Sequence, residues 1–296
     1  HFGVPQHRPR VMLLALRKDI GKQLGLKVFD ITWKSEYEES PSILFPERPS
    51  LAPKATHLGA RILTVRDALQ DLTAKAGAPS QYVKSLNAYA KYLVGNNTTK
   101  GIPNHFQRKH ADIIKLRFRL YQYLANNSIA PRILSITAKS NASPNTKVQM
   151  VKELLAKAKF PAKSPDGYLL AKDMNALVSL IIELSTKKHS QRPLNWDLPS
   201  PTIVSLPDDF VHPSEPRTMT VREMARIQSF PDAFEFRAKE TTGSLRRRFE
   251  VPQYTQVGNA VPPKMAEAVG KVLYDALAAY NARDAKICQK QLEEAV

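Results

Sequence analysis

Residues 217–232 read Arg-Thr-Met-Thr-Val-Arg-Glu-Met-Ala-Arg-Ile-Gln-Ser-Phe-Pro-Asp, and they carry the strongest local structural signal in the chain. Thr220 and Glu223 have the spacing of a capping box, in which each side chain bonds the backbone N–H of the other residue. The sequence therefore predicts a helix that starts after Thr220 and ends near Ser229-Phe230-Pro231. We expect Glu223 to close the box and the two arginines of the helix, Arg222 and Arg226, to be mainly structural.

A second informative stretch, residues 254–263, reads Tyr-Thr-Gln-Val-Gly-Asn-Ala-Val-Pro-Pro. Two prolines are sterically allowed in the first turn of a helix, so a helix is expected to begin there. One face of that helix is apolar and carries Met265, Val269, Val272, Ala276 and Tyr280. Gly258 is expected to permit an unusual backbone angle, and Asn259 to offer a donor and an acceptor at a helix entrance.

The chain opens with a turn and then a continuous apolar run at residues 11–16, which is typical of one buried strand. If the residues before that run are extended, alternate side chains lie on one face. Gln6, Arg8 and Arg10 would then share a face.

Between these segments, four elements are predicted. Thr64 is expected to cap a short helix, and 173–186 is expected to form an amphipathic helix. Residues 202–206 are expected to form a strand. Residues 111–124 fit both a helix and a strand, because basic and apolar residues alternate from Lys115 to Leu120; we prefer the helix. The buried positions expected in the two clear helices are Ala68, Leu69, Leu72, Met174, Leu177, Val178, Ile181 and Ile182.

Composition limits the classes of protein. The 296 residues carry a net charge of +17, and 43% of them are hydrophobic, which excludes wholesale disorder. A single cysteine excludes a disulfide framework and a cysteine-rich metal site, and the histidines lack metal-ligand spacing. No apolar run is long enough to span a bilayer. Residues 100–165 hold 13 Lys or Arg against two acids, so nucleic acid is the leading partner.

Three segments together resemble the DNA (cytosine-5) methyltransferases. Residues 3–10, Gly-Val-Pro-Gln-His-Arg-Pro-Arg, are similar to motif VIII of that family, residues 217–232 to motif IX, and residues 256–263 to motif X. The resemblance implies an α/β protein: the C-terminal part of an S-adenosylmethionine-dependent methyltransferase (Rossmann-like) fold plus a mixed α+β target-recognition domain. It implies that residues 1–34 end the catalytic domain, 35–215 form the target-recognition domain, and 216–296 return to the catalytic domain.

The resemblance also assigns site residues. It places Gln6, Arg8 and Arg10 in the catalytic site, where Arg10 would donate to the cytosine O2 while the other two brace the site. It places Asn259, Ala260 and Val261 beside the cofactor S-adenosylmethionine. DNA contacts are expected at Thr202 and in the basic loop, at Arg246, Arg247 and Arg248. Several of Lys109, Lys115, Arg117 and Arg119 are expected to meet phosphate.

Parts of the family pattern do not occur in the sequence. It contains no Phe-x-Gly-x-Gly cofactor loop, no Pro-Cys nucleophile and no Glu-Asn-Val. Cys288 follows Ile287 in a polar tail, so we reject it as the nucleophile. Because the chain starts at His1 immediately before an expected strand, we expect a fragment that lacks an N-terminal catalytic portion.

Two alternatives stay open. One is a non-catalytic DNA-recognition subunit of a split methyltransferase, completed by a separate chain. The other is a stand-alone basic DNA-binding regulator, which explains the charge but not the three motifs. The expected partner is double-stranded DNA, together with the missing catalytic portion or subunit. The expected setting is a bacterial restriction–modification system, with the protein in the cytoplasm near the nucleoid and not at a membrane.

Overall fold

The computed structural model describes residues 2–25, 53, 55–57, 60–74, 77–94, 101–241 and 249–294. The chain forms two compact units. The first combines His1–Val4, Pro9–Arg61 and Val261–Val296, and the second combines Pro5–Arg8 and Ile62–Ala260. The predicted three-domain division at 34 and 215 stays a prediction.

The described part of the first unit contains two helices, α1 (Lys18–Gln23) and α10 (Pro263–Glu294). They contact each other, and the Arg283 guanidinium donates to the Gln23 carbonyl oxygen at 2.7 Å. The start of α10 at the second of two prolines confirms the predicted helix start. The five apolar residues predicted on one face of α10 are all half-buried.

The second unit contains the remaining helices and two small two-stranded sheets in its described residues. Strands β1 and β2 pair antiparallel, and β3 and β4 pair parallel. The elements are α2 (Val65–Leu69), α3 (Gln81–Val94), α4 (Asp112–Asn126), α5 (Ile133–Lys139), α6 (Pro144–Leu154), β1 (Ala162–Lys163), β2 (Leu169–Ala171), α7 (Met174–Glu183), β3 (Arg192–Pro193), β4 (Phe210–Val211), α8 (Val221–Ile227) and α9 (Gln253–Asn259).

Two hydrophobic cores hold this unit together. The first core joins α2, α3, α8 and α9, and the second joins α4 to α7 with the β1–β2 hairpin. Successive residues of β4 serve different cores, because Phe210 is buried in the first and Val211 in the second. This follows from the alternation of side chains along a strand. The short β3–β4 sheet therefore links the two cores.

Several predicted elements are confirmed. The predicted helices are present as α2, α7 and α8, and the helical alternative for residues 111–124 is confirmed by α4. In α2 the predicted positions Ala68 and Leu69 are fully buried. In α8 the capping box is complete, since Thr220 Oγ1 accepts from the Glu223 N–H and Glu223 accepts from the Thr220 N–H at 2.8 Å.

The two predicted strands are wrong. Residues 11–16 adopt no regular secondary structure, and the side chains of Val11 and Leu13 are 93% and 95% exposed. A strand is stabilised by backbone hydrogen bonds to a neighbouring strand, and no described segment pairs with these residues. Residues 202–206 are also irregular, because their backbone groups near Ile203 are bonded by side chains instead of by a strand.

Candidate functional site

The Gln6 side chain joins three distant parts of the second unit. Its Nε2 donates to Gln228 Oε1 at 2.9 Å, and its Oε1 accepts from the Ile203 N–H at 2.7 Å. Gln228 in turn donates to the Val257 carbonyl oxygen at 2.9 Å. Gln6 and Gln228 are both buried, so each amide satisfies polar groups that water does not reach. These bonds bring the segments similar to motifs VIII, IX and X together.

Arg8 makes a second link between the same segments. Its Nη1 donates to the Ile203 carbonyl oxygen and its Nη2 donates to the Gly258 carbonyl oxygen, both at 2.8 Å. The guanidinium is thus a rigid bridge between the irregular segment near Ile203 and helix α9. Gln6 and Arg8 thus hold the opening segment against the rest of the second unit, and their predicted role in bracing a catalytic site stays a prediction.

The backbone of the opening segment adds a short parallel pairing. The Ser200 N–H donates to the Pro5 carbonyl oxygen at 2.9 Å, and the His7 N–H donates to the Ser200 carbonyl oxygen at 2.8 Å. The half-buried Thr202 donates its hydroxyl proton to the His7 carbonyl oxygen at 3.0 Å. Thr202 thus fastens the opening segment, and its predicted contact with DNA stays a prediction.

Gly258 is required for a different reason from the one predicted. It lies inside helix α9 and needs no left-handed backbone angle. A Cβ atom at this position would lie 2.6 Å from the Ser205 nitrogen and 2.6 Å from the Val204 carbonyl carbon. The close approach of two backbone segments therefore requires glycine.

The three predicted cofactor residues follow Gly258 directly in the chain: Asn259, Ala260 and Val261. Asn259 is the exposed last residue of α9, so it lies at a helix end and not at the predicted helix entrance. Ala260 is half-buried and caps α9, and the side chain of Val261 is 57% exposed. One amide and one apolar side chain of this short link are therefore accessible.

Arg10 differs from Gln6 and Arg8. It is exposed, and its one hydrogen bond within the described chain runs from Nη1 to the Pro9 carbonyl oxygen at 2.7 Å. No carboxylate among the described residues neutralises it. Arg10 is therefore accessible to a ligand, in contrast to the two bracing residues.

A buried ionic cluster lies at the start of α8. Arg217 donates two hydrogen bonds to the Glu223 carboxylate, at 2.6 and 2.9 Å. Burial alone would raise the pKa of Glu223, but the hydrogen bonds and charge of Arg217 outweigh it and lower the pKa to about 2. His212 lies nearby, and burial lowers its pKa to about 4, so the ring is neutral at pH 7. Its Nε2 is 3.9 Å from Glu223, too far for a hydrogen bond.

The arginines of α8 are structural, as predicted. Arg222 is fully buried and donates to the backbone carbonyl oxygens of Pro103, Pro231 and Phe234. Burial lowers its pKa to about 10. Arg226 is equally buried but is paired with Asp71 at 2.7 Å and with Asp232 at 2.8 Å. Neither guanidinium is accessible to a substrate.

The basic residues predicted to meet phosphate divide into two groups. Lys109 is exposed. In α4, Lys115 pairs with Asp112 at 3.1 Å, Arg119 pairs with Asp166 at 2.7 Å, and Arg117 donates to the Leu184 carbonyl oxygen at 3.0 Å. These three side chains have internal partners. Arg246, Arg247 and Arg248 lie outside the described residues.

Sequence reasoning missed Gln228, which links Gln6 to Val257, and the buried pair of Arg217 with Glu223. Gln228 has no local signal, because its partner Gln6 is 222 residues away. Arg217 lies six residues before Glu223, and that spacing of opposite charges before a capping box could have indicated a buried pair.

Neither a metal cluster nor a membrane span is found in what the structure describes. No three His, Cys, Asp or Glu side chains of this part lie close enough together to hold a metal ion. None of its helices is long and apolar enough to cross a bilayer. Cys288 lies within α10.

The comparisons with known proteins identify the class. The model of the C-5 cytosine-specific DNA methylases matches residues 1–275, so the chain belongs to that family.

The chain is 27% identical to the type II methyltransferase M.AgeI of Thalassovita gelatinovora over 304 residues, covering 92% of this chain and 63% of that protein. It is 27% identical to M.OihORF3336P of Oceanobacillus iheyensis over 305 residues, which cover 92% of this chain and 59% of that protein. Over 88 residues it is 46% identical to the type II methyltransferase M.AquIB of a Picosynechococcus strain, 29% of this chain and 63% of that one. The chain thus spans about three fifths of the two relatives that it matches over most of its own length.

Proposed function

We propose that this chain is the C-terminal, DNA-recognising portion of a DNA (cytosine-5) methyltransferase. The complete enzyme would transfer a methyl group from S-adenosylmethionine to carbon 5 of a cytosine flipped out of a specific DNA sequence. The observation that carries the proposal is the network of Gln6 and Arg8, which joins the three family motifs through buried and half-buried hydrogen bonds. An isolated motif similarity would not predict that these segments meet.

Arg10 has the catalytic role in this proposal. Attack of a nucleophile on the cytosine ring places negative charge on the ring, and a fixed guanidinium donating to O2 stabilises that charge. Arg10 is exposed and unpaired with any described carboxylate, which suits such a role. Gln6 and Arg8 hold the opening segment in place but do not touch the base.

S-adenosylmethionine, when bound, supplies the methyl group. The exposed Asn259 amide suits a polar contact with such a cofactor, and the exposed Val261 side chain suits an apolar contact. The rest of the cofactor site and the cysteine nucleophile would belong to a separate catalytic portion with a Rossmann-like sheet. The predicted domains, residues 1–34, 35–215 and 216–296, form part of the same proposal.

The exposed apolar residues of the first unit support a catalytic portion that covers them. Val11 and Leu13 are almost fully exposed, although their sequence is typical of a buried strand. Exposed runs of this kind are unfavourable in water and mark surfaces that bind another chain or segment. We propose that the catalytic portion covers residues 11–16.

Methyl transfer tests the proposal. With labelled S-adenosylmethionine and mixed-sequence duplex DNA, we expect no transfer by this chain alone, because the sequence contains no Pro-Cys. We expect transfer once the catalytic portion carrying Pro-Cys is supplied. Transfer by the chain alone, or none by the combined portions, would contradict the proposal.

A second candidate is the recognition subunit of a split enzyme. The relative M.AquIB supports this candidate. Its 88 aligned residues make up 63% of its length, so this type II methyltransferase is shorter than the present chain. The reading frame distinguishes the two candidates. A frame that continues upstream of His1 into Pro-Cys supports the single-chain enzyme, whereas a start codon shortly upstream supports the split enzyme. In both cases we propose a restriction–modification setting in a bacterial cytoplasm, near the nucleoid.

A further inference from the structure

Helices α5 and α6 follow each other across a short turn and contact each other. Helix α5 ends at Lys139, residues 140–143 form a four-residue turn, and α6 begins at Pro144. Ser143 caps α6 by accepting a hydrogen bond from the Thr146 N–H. A turn of this length also connects the two helices of helix–turn–helix regulators, whose second helix lies in the DNA major groove.

The second core fixes which side of α6 is free. Val151 and Leu155 are fully buried against residues of α5 and α7, including Leu134 and Ile181. The side of α6 toward solvent carries Asn145, Thr146, Gln149 and Glu153, all exposed. The core thus presents a polar face of this helix to the surroundings.

The exposed face has the chemistry of a base reader. Asn145 and Gln149 are four residues apart, so their side chains lie on one face of the helix. Carboxamides can donate to and accept from adenine at the same time through its N6 and N7 atoms in the major groove. Gln149 Nε2 donates to Glu153 at 3.1 Å, which leaves its carbonyl oxygen available. The first turn of a recognition helix is where base contacts occur.

The charge of the residues around α6 favours DNA as the partner of its exposed face. Residues 132–163 carry seven basic side chains and one acid, Glu153. Among the described residues, none of the seven lies within 4.0 Å of a carboxylate, in contrast to Lys115 and Arg119 of α4. These side chains are Arg132, Lys139, Lys147, Lys152, Lys157, Lys159 and Lys163. Of the seven, Lys152 lies on the face of Asn145 and Gln149, because it follows Gln149 by three residues, and an unpaired cation beside a polar helix face matches a phosphate backbone beside a groove.

The β1–β2 hairpin follows α6 and is held against α4. Asp166 in its turn pairs with Arg119, whose guanidinium also lies 4.4 Å from the centre of the Tyr168 ring. The one acid of the hairpin turn is therefore neutralised, and Lys163 stays exposed beside it.

We propose that α6 enters the major groove of double-stranded DNA, with Asn145 and Gln149 reading bases and the surrounding lysines contacting phosphate. The inference rests on the proposed function and names the element that selects the methylated sequence. Helix α4, whose basic side chains have internal partners, would support α6 and make few phosphate contacts of its own.

The test uses the completed enzyme on a library of duplexes with varied sequence. The double variant Asn145→Ala/Gln149→Ala is expected to lose roughly tenfold or more of its discrimination between preferred and altered sites. The variant Lys152→Ala removes a cation three residues after Gln149 on the same helix face, and it is expected to weaken binding to all sequences similarly and to lower the salt dependence. Gln81→Ala, an exposed amide at the start of α3, is the matched control and should change neither property.

The possible results separate the two proposals. If the wild-type completed enzyme transfers no methyl group, the proposed function fails. If it methylates DNA and the amide variant keeps the wild-type site preference, with a normal thermal melt, the assignment of α6 is overturned. An unchanged salt dependence for the lysine variant would likewise contradict the proposed phosphate contacts of this face.

Discussion

Replacing Arg217 with methionine is expected to lower the free energy of unfolding by about 3–5 kcal/mol. Glu223 is fully buried and receives two hydrogen bonds from Arg217. Without the guanidinium, the carboxylate would stay buried without its charge partner, or it would take up a proton. Urea denaturation of the chain at pH 7, with circular dichroism as the signal, measures the change.

Three controls test the buried pair, which Arg217 makes in addition to a less buried pair with Glu215 at 2.7 Å. Arg66→Met removes an exposed arginine that pairs with Asp197 at 2.8 Å, and it should cost less than about 1 kcal/mol. Adding Glu223→Gln to Arg217→Met should restore part of the loss, because glutamine keeps the capping box. A loss for Arg217→Met no larger than that for Arg66→Met would contradict the account.

The dependence of the unfolding free energy on pH is the third control. The pKa of Glu223 falls from 4.5 to about 2 on folding, so this group stabilises the fold above pH 4.5. That stabilisation is lost as the pH falls from 4.5 through 2. The difference between the wild type and Arg217→Met should therefore shrink across this range.

Gly258→Ala is expected to destabilise the second unit by about 1–3 kcal/mol and to displace α9. The added Cβ would lie 2.6 Å from two backbone atoms of residues 204 and 205, which cannot turn away as a side chain can. Because Gly258 also accepts a hydrogen bond from Arg8, methyl transfer by the completed enzyme should fall as well. Thermal unfolding and the transfer assay measure the two effects.

Gly270→Ala is the matched control for this substitution. Gly270 lies in α10 with no neighbouring atom within 4 Å of an added Cβ. Alanine is the better helix former, so this variant should be more stable by about 0.5–1 kcal/mol. Equal stability of the two alanine variants would show that the close approach at Gly258 does not constrain the fold.

Local signals predict the helices α2, α4, α7, α8 and α10, whereas α1, α3, α5, α6 and α9 are not among the predicted elements. Capping at Thr220 and a proline pair before α10 depend on neighbours a few residues away. The apolar face of α7 repeats every three or four residues and needs no distant partner. Helix α6 also has a local start signal, because Ser143 caps it and Pro144 fits its first position.

Strands and site contacts depend on distant residues and were harder to predict. An apolar run such as residues 11–16 forms a strand only beside another strand, and none is present among the described residues. The motif similarity implied that Gln6, Arg8 and Arg10 belong to one catalytic site. It did not show that a carbonyl oxygen of Gly258 accepts from Arg8, or that Gln228 completes the link.

The central claim is that the two arginines of the opening segment have different roles, with Arg8 bracing the fold and Arg10 serving the reacting base. The most direct test is the single-turnover rate of methyl transfer by the completed enzyme carrying Arg10→Lys, measured beside its thermal unfolding. We expect the rate to fall roughly 100- to 1,000-fold while the unfolding curve stays unchanged. Arg8→Lys should instead lower stability and rate together. A wild-type rate for Arg10→Lys would contradict the account.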